Sequence, residues 1–332
     1  MRYDLRCPSA LKLRIAETPM TKNAVLFVNS NYAHVLIELE NLFTVFNYRD
    51  AKDKEQLLRA AAPVVRAVYT NESSWVPEIM DALPKLEMIA LVSNGHERFD
   101  LKKARARNIR ISNTPTETTG DVADLAVTLM LATARKITWA ERYVRSGEWL
   151  AKGRPPLTRR FHRKQLGIIG LGSIGQAVAK RAGGFDMEIS YHGPNKKNVN
   201  YTYYADLVEM ARNVDFLAVT CMGGPKTAGI VNAEVLAALG ADGILVNIAR
   251  GTCIVEADLL QALRNGTIGG AGLDVYASEP TDPAPFASLD NVVLTPHFGS
   301  GTPDTRLEMN ATGIKNLVAF FSGQPLLTPV PL

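Results

Sequence analysis

The chain has 332 residues, 46% of them hydrophobic and 21% charged, with a formal net charge of +4. This is the balance of a globular protein long enough for two cores, and the dispersed basic residues exclude a polyanion-binding patch, so no nucleic-acid partner is expected. The three cysteines, Cys7, Cys221 and Cys253, are widely spaced, which argues against a disulfide framework and suits the cytoplasm, and no Cys-x-x-Cys or His-x-x-x-His spacing suggests a metal.

Residues 1–19 carry Arg2, Arg6 and Arg14 without an apolar core. A secretory signal is therefore not indicated. A flexible tail is expected, with a weak organelle-targeting arm or an early start codon before Met20 as the alternatives. Residues 24–28 are apolar and β-branched and are bounded by Asn29-Ser30-Asn31, which reads as a first strand. Positions 32–42 have helical spacing, and 64–69 and 88–92 read as further buried strands. Alternation of this kind favours a parallel α/β layer. After Asn113-Thr114-Pro115 the pattern changes to a long, mostly helical run over 121–145. Its apolar stretch, 125–134, is interrupted by Thr128 and Thr133 and falls short of the roughly 18 residues of a membrane span. It reads as buried helix, and no membrane association is expected. Residues 146–164 are basic and broken by Gly153, Pro155 and Pro156, an irregular arm entering a second domain at Gln165. Strands and helices alternate again as far as Pro296, 305–321 is helical by pattern, and 323–331 is a Pro-rich tail.

Within the second domain, the apolar strand 166–169 runs into Gly170-Leu171-Gly172-Ser173-Ile174-Gly175, and a helical run follows over 176–181. Strand before and helix after give this Gly-x-Gly-x-x-Gly the context of a dinucleotide fingerprint. Gly170 permits the tight turn, Gly172 lets backbone approach a pyrophosphate, and Gly175 allows close packing of helix on strand. The pyrophosphate is expected at the positive helix N-terminus. After the next strand, 188–191, an NAD site places an acidic residue for the ribose 2′-hydroxyl. Here the run is His192-Gly193-Pro194-Asn195-Lys196-Lys197. No carboxylate repels a 2′-phosphate and two lysines attract one, so NADPH is the preferred cofactor and NADH the lesser one. The alternative is that Lys196 and Lys197 only decorate an exposed loop; Asn195 is a donor to phosphate under either reading.

Three residues late in the chain each follow a strand-like run: Arg250 in Asn247-Ile248-Ala249-Arg250-Gly251, Glu279 in Asp274-Val275-Tyr276-Ala277-Ser278-Glu279-Pro280, and His297 in Thr295-Pro296-His297. They are expected to converge at one edge of a parallel sheet, where α/β proteins bind ligands. A guanidinium grips a carboxylate bidentately. An imidazole oriented by a carboxylate keeps a proton to give when hydride reaches a carbonyl carbon. This is the equipment for reducing a 2-keto acid. His34, His96 and His162 read as structural. Asp274 either bonds a nicotinamide carboxamide or caps its strand. Cys221 and Cys253 flank the cofactor cleft and, with no partner base evident, read as small buried residues rather than nucleophiles.

The run from Leu166 to His297 resembles the D-isomer-specific 2-hydroxyacid dehydrogenase family. The residues that carry the resemblance are Gly170 to Gly175, Asn247-Ile248-Ala249-Arg250-Gly251, Gly272-Leu273-Asp274-Val275, Glu279-Pro280 and Thr295-Pro296-His297-Phe298-Gly299-Ser300. It implies two doubly wound, Rossmann-like parallel-sheet domains with the active site in the cleft between them. Residues 20–118 and 303–332 would form a discontinuous substrate domain and 119–302 the dinucleotide domain. A homodimer would be held by the long helix from Asp121 and the arm after it. Val92-Ser93-Asn94-Gly95 is similar to the loop whose amides bind the substrate carboxylate, so Asn94 and Gly95 are expected there with Arg250 and His297. Thr119 matches a position at the nicotinamide end, and the cofactor surface implied also includes Ser173, Ile174, His192, Cys221, Ile248, Ala249, Asp274 and Gly299. Segments 200–204 and 321–330 look most like the glyoxylate/hydroxypyruvate and hydroxyphenylpyruvate reductases, which generally prefer NADPH.

Three departures stand out. Cys221-Met222-Gly223-Gly224 lacks the proline that relatives commonly place after the cysteine. Ser173 stands where many NADPH-dependent relatives carry Arg, and Gly193-Pro194-Asn195 replaces a Ser/Arg-rich phosphate loop. The expectation is an NADPH-preferring reductase of glyoxylate and hydroxypyruvate, with Arg250 holding the carboxylate and polarising the keto oxygen, and His297, oriented by Glu279, as the acid. The alternatives are a reductase of 4-hydroxyphenylpyruvate or phenylpyruvate and, in another class, a nicotinamide-sensing interaction module related to corepressors. Formate dehydrogenase and phosphoglycerate dehydrogenase fit less well. Contacts to the substrate side chain are expected from the first domain, from Trp149 or Arg154 in the arm, and from a neighbouring subunit.

Overall fold

A computed structural model describes residues 22–331 apart from 31, 72–73 and 98. The expected tail over 1–19 and Cys7 lie outside the described residues. In chain order the first part is β1 (Ala24–Phe27), α1 (Ala33–Leu42), β2 (Thr44–Asn47), α2 (Lys54–Ala61), β3 (Ala67–Thr70), α3 (Glu78–Ala82), β4 (Met88–Leu91), α4 (Leu101–Ala106) and β5 (Arg110–Ser112). Three helices follow: α5 (Thr119–Ala134), α6 (Ile137–Arg145) and α7 (Glu148–Lys152). Next come β6 (Gln165–Ile169), α8 (Ser173–Gly183), β7 (Glu188–His192), β8 (Thr202–Tyr204), α9 (Leu207–Arg212), β9 (Phe216–Val219), α10 (Ala233–Leu239) and β10 (Ile244–Asn247). The chain closes with α11 (Glu256–Arg264), β11 (Gly270–Leu273), β12 (Val292–Leu294) and α12 (Pro303–Phe321).

The strands form two all-parallel sheets, β2-β1-β3-β4-β5 and β12-β11-β10-β9-β6-β7-β8. Both are doubly wound: the strand order reverses beside β1 in the first sheet and beside β6 in the second, which opens a crevice at the carboxyl ends of those strands. Helices cover both faces, so the central strands are continuous apolar runs rather than alternating ones; every residue of β3, β4, β9 and β10 is buried. Successive side chains then serve opposite cores. Leu26, Val68 and Ile89 pack with Trp75 and Ile79 on one face, while Val25, Phe27, Ala67 and Met88 pack with Met309, Ile314 and Leu317 of α12 on the other. The last helix of the chain thus closes the first sheet. Helix α5 packs instead on the second sheet, where Ala123, Ala126 and Met130 meet Leu166, Ile168 and Val246. Asp121 in the first turn of α5 accepts hydrogen bonds from Thr302 and Thr305 at the start of α12, tying the two crossings together.

Four strands were not singled out in the sequence reading: β2, β5 and β8, which lie at sheet edges, and β9, which lies between β10 and β6. The helical run expected over 121–145 is two helices, because Lys136 turns the chain with a left-handed φ of 48°. The irregular arm contains α7, and the strand expected from 64 begins at Ala67, since the Val64 and Val65 amides bond back to Ala61 in the turn after α2.

Candidate active site

The glycine turn joins β6, the strand beside the reversal of the second sheet, to α8. Gly170 has φ 92°, and a Cβ there would lie 2.5 Å from Cys221 Cα. Only glycine satisfies both constraints. A Cβ on Gly175 would lie 2.3 Å from the Gly170 carbonyl oxygen, so the first turn of α8 sits directly on the loop. Gly172 is different: the space its Cβ would take has no atom within 4 Å. It is the N-cap of α8, and no side chain caps that end of the helix. Open space beside uncapped amides at a helix N-terminus suits a pyrophosphate, so these residues fit a dinucleotide.

The other expected residues lie at the carboxyl ends of neighbouring strands. Asn247, the last residue of β10, shapes the Arg250 turn twice. Its Oδ1 accepts the Ala249 amide at 3.0 Å and its Nδ2 donates to the Arg250 carbonyl at 2.9 Å. Gly251 then runs flush against the backbone after β11, where a Cβ would sit 1.8 Å from Tyr276 O. That contact brings the Arg250 turn beside the loop carrying Glu279, whose Oε1 accepts the Tyr276 amide at 3.1 Å. Glu279 Oε2 lies 2.6 Å from His297 Nδ1. A carboxylate can only accept, so Nδ1 carries a hydrogen toward it and Nε2 is left to hold or release a proton.

His297 has φ 50°, a left-handed conformation uncommon for a residue other than glycine. Asp274, 2% exposed at the end of β11, holds the loop in that shape. Its Oδ1 accepts Thr295 Oγ1 at 2.7 Å and the Phe298 amide at 3.0 Å, and its Oδ2 accepts the Gly299 amide at 3.0 Å. Tyr276 Oη donates to Thr295 O at 2.8 Å from the other side. Burial, then the Asp274 charge, push this phenol up to about 12, so it remains a donor.

On the first sheet, the loop after β4 holds Asn94 and Gly95, with Asn94 O accepting from Asn113 Nδ2 at 2.9 Å. Glu97, in the same loop, was not singled out from sequence. Its Oε2 lies 3.3 Å from Arg250 Nη2, an ion pair joining the two sheets across the cleft. Gly223 was noticed only as a departure from a proline pattern; a Cβ there would lie 2.7 Å from Arg250 Cγ, so this wall supports the arginine stem. Thr119 opens α5, its Oγ1 donating to Pro115 O at 3.3 Å.

His192 is the last residue of β7 rather than the first after it, and its Nδ1 bonds Tyr204 O at 3.1 Å. Asn195, Lys196 and Lys197 are exposed just beyond. The Lys197 amide donates to Tyr191 Oη at 2.6 Å, which fixes the path of the loop. Cys221 and Cys253, which sequence left without partners, face each other with sulfurs 3.9 Å apart. The contact with Cys253, together with burial, pushes the Cys221 thiol up. Trp149 and Arg154 are exposed. Among the described residues, no group of three or more His, Cys, Asp or Glu side chains is arranged to hold a metal ion. No helix among them is long and apolar enough to cross a membrane.

A phosphate-binding turn at the switch point of one sheet, with an arginine and a carboxylate–imidazole pair at the same edge, defines a nicotinamide-dependent oxidoreductase. Residues 127–299 match the NAD-binding domain of D-isomer-specific 2-hydroxyacid dehydrogenases. The chain is 48% identical to a hydroxyphenylpyruvate reductase of Plectranthus scutellarioides over 88% of its own length and 94% of the relative's. It is 44% identical to glyoxylate/hydroxypyruvate reductase A of Arabidopsis thaliana, with the same coverage. The crystal structure of an NADPH-dependent glyoxylate/hydroxypyruvate reductase from Sinorhizobium meliloti superposes with a TM-score of 0.86 at 38% identity, covering 93% of this chain and 98% of that one. The chain belongs to the D-isomer-specific 2-hydroxyacid dehydrogenase family.

Proposed function

We propose that this protein reduces small 2-keto acids, glyoxylate and hydroxypyruvate, to D-2-hydroxy acids, with NADPH preferred over NADH. The observation that carries the reading is the 2.6 Å Glu279–His297 pair, held at a strained backbone position beside the Arg250 turn. When bound, the reduced nicotinamide supplies a hydride to C2 of the keto acid. The residues of the chain do the rest. Arg250, with the Asn94 and Gly95 amides, holds the substrate carboxylate and polarises the keto oxygen. His297 gives that oxygen its proton, and Glu279 holds the ring by Nδ1 so that Nε2 is the donor. The Gly170–Gly175 turn and the α8 amides take the pyrophosphate, with Ser173 and Ile174 at the start of that helix. Thr119, Cys221, Ile248, Ala249, Asp274 and Gly299 complete the walls of the cofactor cleft.

Preference for NADPH is supported by the residues after β7, where His192, Asn195, Lys196 and Lys197 offer donors and no carboxylate. The name of the S. meliloti enzyme points the same way. We assign residues 20–118 and 303–332 to a substrate domain and 119–302 to the dinucleotide domain, with the cleft between them. We also assign a homodimer, supported by the apolar side chains that α6, α7 and the arm leave exposed, including Ile137, Val144, Trp149 and, at 99% exposure, Leu157. An aromatic 2-keto acid is the second reading, favoured by the 48% identity to a hydroxyphenylpyruvate reductase.

Initial rates of NADPH and NADH oxidation with glyoxylate, hydroxypyruvate, phenylpyruvate and 4-hydroxyphenylpyruvate test both readings. Faster NADPH-linked turnover of the two small acids is expected. Preference for the aromatic acids would move the substrate assignment, and cofactor binding with every keto acid inert would overturn the reductase reading in favour of a nicotinamide-sensing module.

A further inference from the structure

The contacts of Arg250 include two from its own sheet and one from the other. Its Nη1 donates to the Ala249 carbonyl at 2.8 Å, its Nη2 meets Glu97 Oε2 at 3.3 Å, and its stem lies on Gly223. The first and third come from its own sheet; Glu97 comes from the other. The loop that carries Glu97 is itself fixed at both ends. The Val92 amide bonds Thr70 O at 2.8 Å and Ser93 O accepts the Thr114 amide at 2.9 Å. At the far end Phe99 stacks on Trp75 with ring centroids 4.4 Å apart, and Asp100 caps α4 through the Lys103 amide. The carboxylate therefore reaches Arg250 from a loop whose flanking residues are anchored.

Glu97 and Arg250 are both about one-third exposed, at 35% and 32% of their side chains. A pair so exposed adds little to folding stability, because water and salt screen it. What such a contact can do is choose a rotamer. An arginine left alone spreads over many side-chain conformations, and binding a carboxylate in one of them costs that freedom. We propose that Glu97 is a positioning residue for Arg250: supplied by the opposite sheet, it aligns the guanidinium for the substrate carboxylate when the two sheets are drawn together across the cleft. Gly223 belongs to the same device, since a methyl group there would push against the Arg250 stem and Glu97 Oε1 is itself 3.5 Å away. The inference rests on the reading of Arg250 as the carboxylate holder.

The test uses the full-length protein with Glu97→Gln, Glu97→Ala, Gly223→Ala, Arg250→Ala and the Glu97→Ala/Arg250→Ala double variant. The readouts are kcat and KM for glyoxylate, NADPH affinity, the melting temperature, and the affinity of the NADPH-loaded protein for oxalate, a dicarboxylate that is not reduced, by calorimetry. Misplacing a binding group by about 1 Å costs up to roughly a hundredfold in rate. We therefore expect kcat/KM to fall about tenfold or more in Glu97→Ala and Gly223→Ala and less in Glu97→Gln, which keeps an acceptor. Oxalate affinity should fall in parallel, with NADPH affinity and melting temperature unchanged. In the Arg250→Ala background, removing Glu97 should have no further effect, the mark of a residue that acts through another. Unchanged kcat/KM and oxalate affinity would overturn the proposal. So would a full additional loss in the double variant, and so would tighter oxalate binding without Glu97, which would make it a competitor for Arg250. If the unaltered protein reduces no keto acid, the reductase reading fails by itself, and the oxalate series still decides whether Glu97 aligns Arg250.

Discussion

Asp274→Asn removes one charge and turns one acceptor into a donor at a site 2% exposed to solvent. If the remaining oxygen stays with Thr295 Oγ1 and the Phe298 amide, the new amide nitrogen faces the Gly299 amide, which has bonded Oδ2 at 3.0 Å. Two donors then oppose each other. A buried donor left unsatisfied costs about 1–3 kcal/mol, and exchange of charge-assisted for neutral bonds at the other two contacts adds to that. The loop also loses what holds His297 at φ 50°, a conformation that itself costs about 1–3 kcal/mol. A destabilisation of about 2–3 kcal/mol is expected in urea unfolding. Turnover should fall roughly ten- to a hundredfold as His297 drifts from its position. Unfolding midpoints, kcat and NADPH affinity on the same preparations separate the possibilities. Unchanged stability with a loss confined to NADPH affinity would refute the reasoning and assign the carboxylate to the nicotinamide instead.

His297→Asn should abolish most turnover and leave NADPH affinity nearly unchanged, because asparagine also accepts the left-handed backbone; equal losses, measured by rates and by cofactor titration, would remove the acid role. Glu279→Gln replaces the carboxylate that accepts from Nδ1 at 2.6 Å with an amide that can turn a donor toward the ring, so kcat for keto-acid reduction should fall while NADPH affinity holds, and an unchanged kcat would dismiss Glu279 as the orienting partner. Tyr276 bears on alkaline stability. Its phenol is held at about 12 against an ordinary 10.0, so between those values the unfolded chain releases a proton that the fold retains, and stability falls as pH rises through that window. Tyr276→Phe should flatten that part of the stability–pH curve in urea titrations, and an equal slope would show the phenol uninvolved. Replacing Lys196 and Lys197 together with alanine should raise KM for NADPH roughly five- to thirtyfold, taking about 0.5–1 kcal/mol for each exposed contact, with NADH little affected. Parallel changes for both cofactors would detach the lysines from the 2′-phosphate.

What was legible in the sequence follows from how local each signal is. The glycine turn could be read because strand, turn and helix are contiguous, even though the atoms that crowd Gly170 belong to the distant Cys221. Most central strands could be read because burial on both faces makes them apolar throughout, although β9 was passed over in the general alternation of strands and helices. The edge strands β2, β5 and β8 could not: strands such as Thr44-Val45-Phe46-Asn47 and Thr202-Tyr203-Tyr204 are exposed or half-buried along their length, and no apolar run marks them. The break between α5 and α6 was equally hidden, since Arg135-Lys136 contains neither glycine nor proline and only the left-handed Lys136 makes the turn.

The site divides along the same line. Arg250, Glu279 and His297 stand out because each follows its own apolar strand, and parallel strands of one sheet bring their carboxyl ends to one edge whatever the loops between them. Glu97 follows no such logic. It is separated from Arg250 by 153 positions and lies on the other sheet, and a glutamate between a histidine and an arginine in a polar loop carries no pattern of its own. Nor did Asn247 or Gly251 draw notice beyond their place in a motif, although the first shapes the arginine turn and the second sets its distance from the Glu279 loop. The chemistry-bearing groups were readable as residue types after strands. The residues that hold them in place were not, because positioning is a relation between two distant segments and exists only once both sheets have formed.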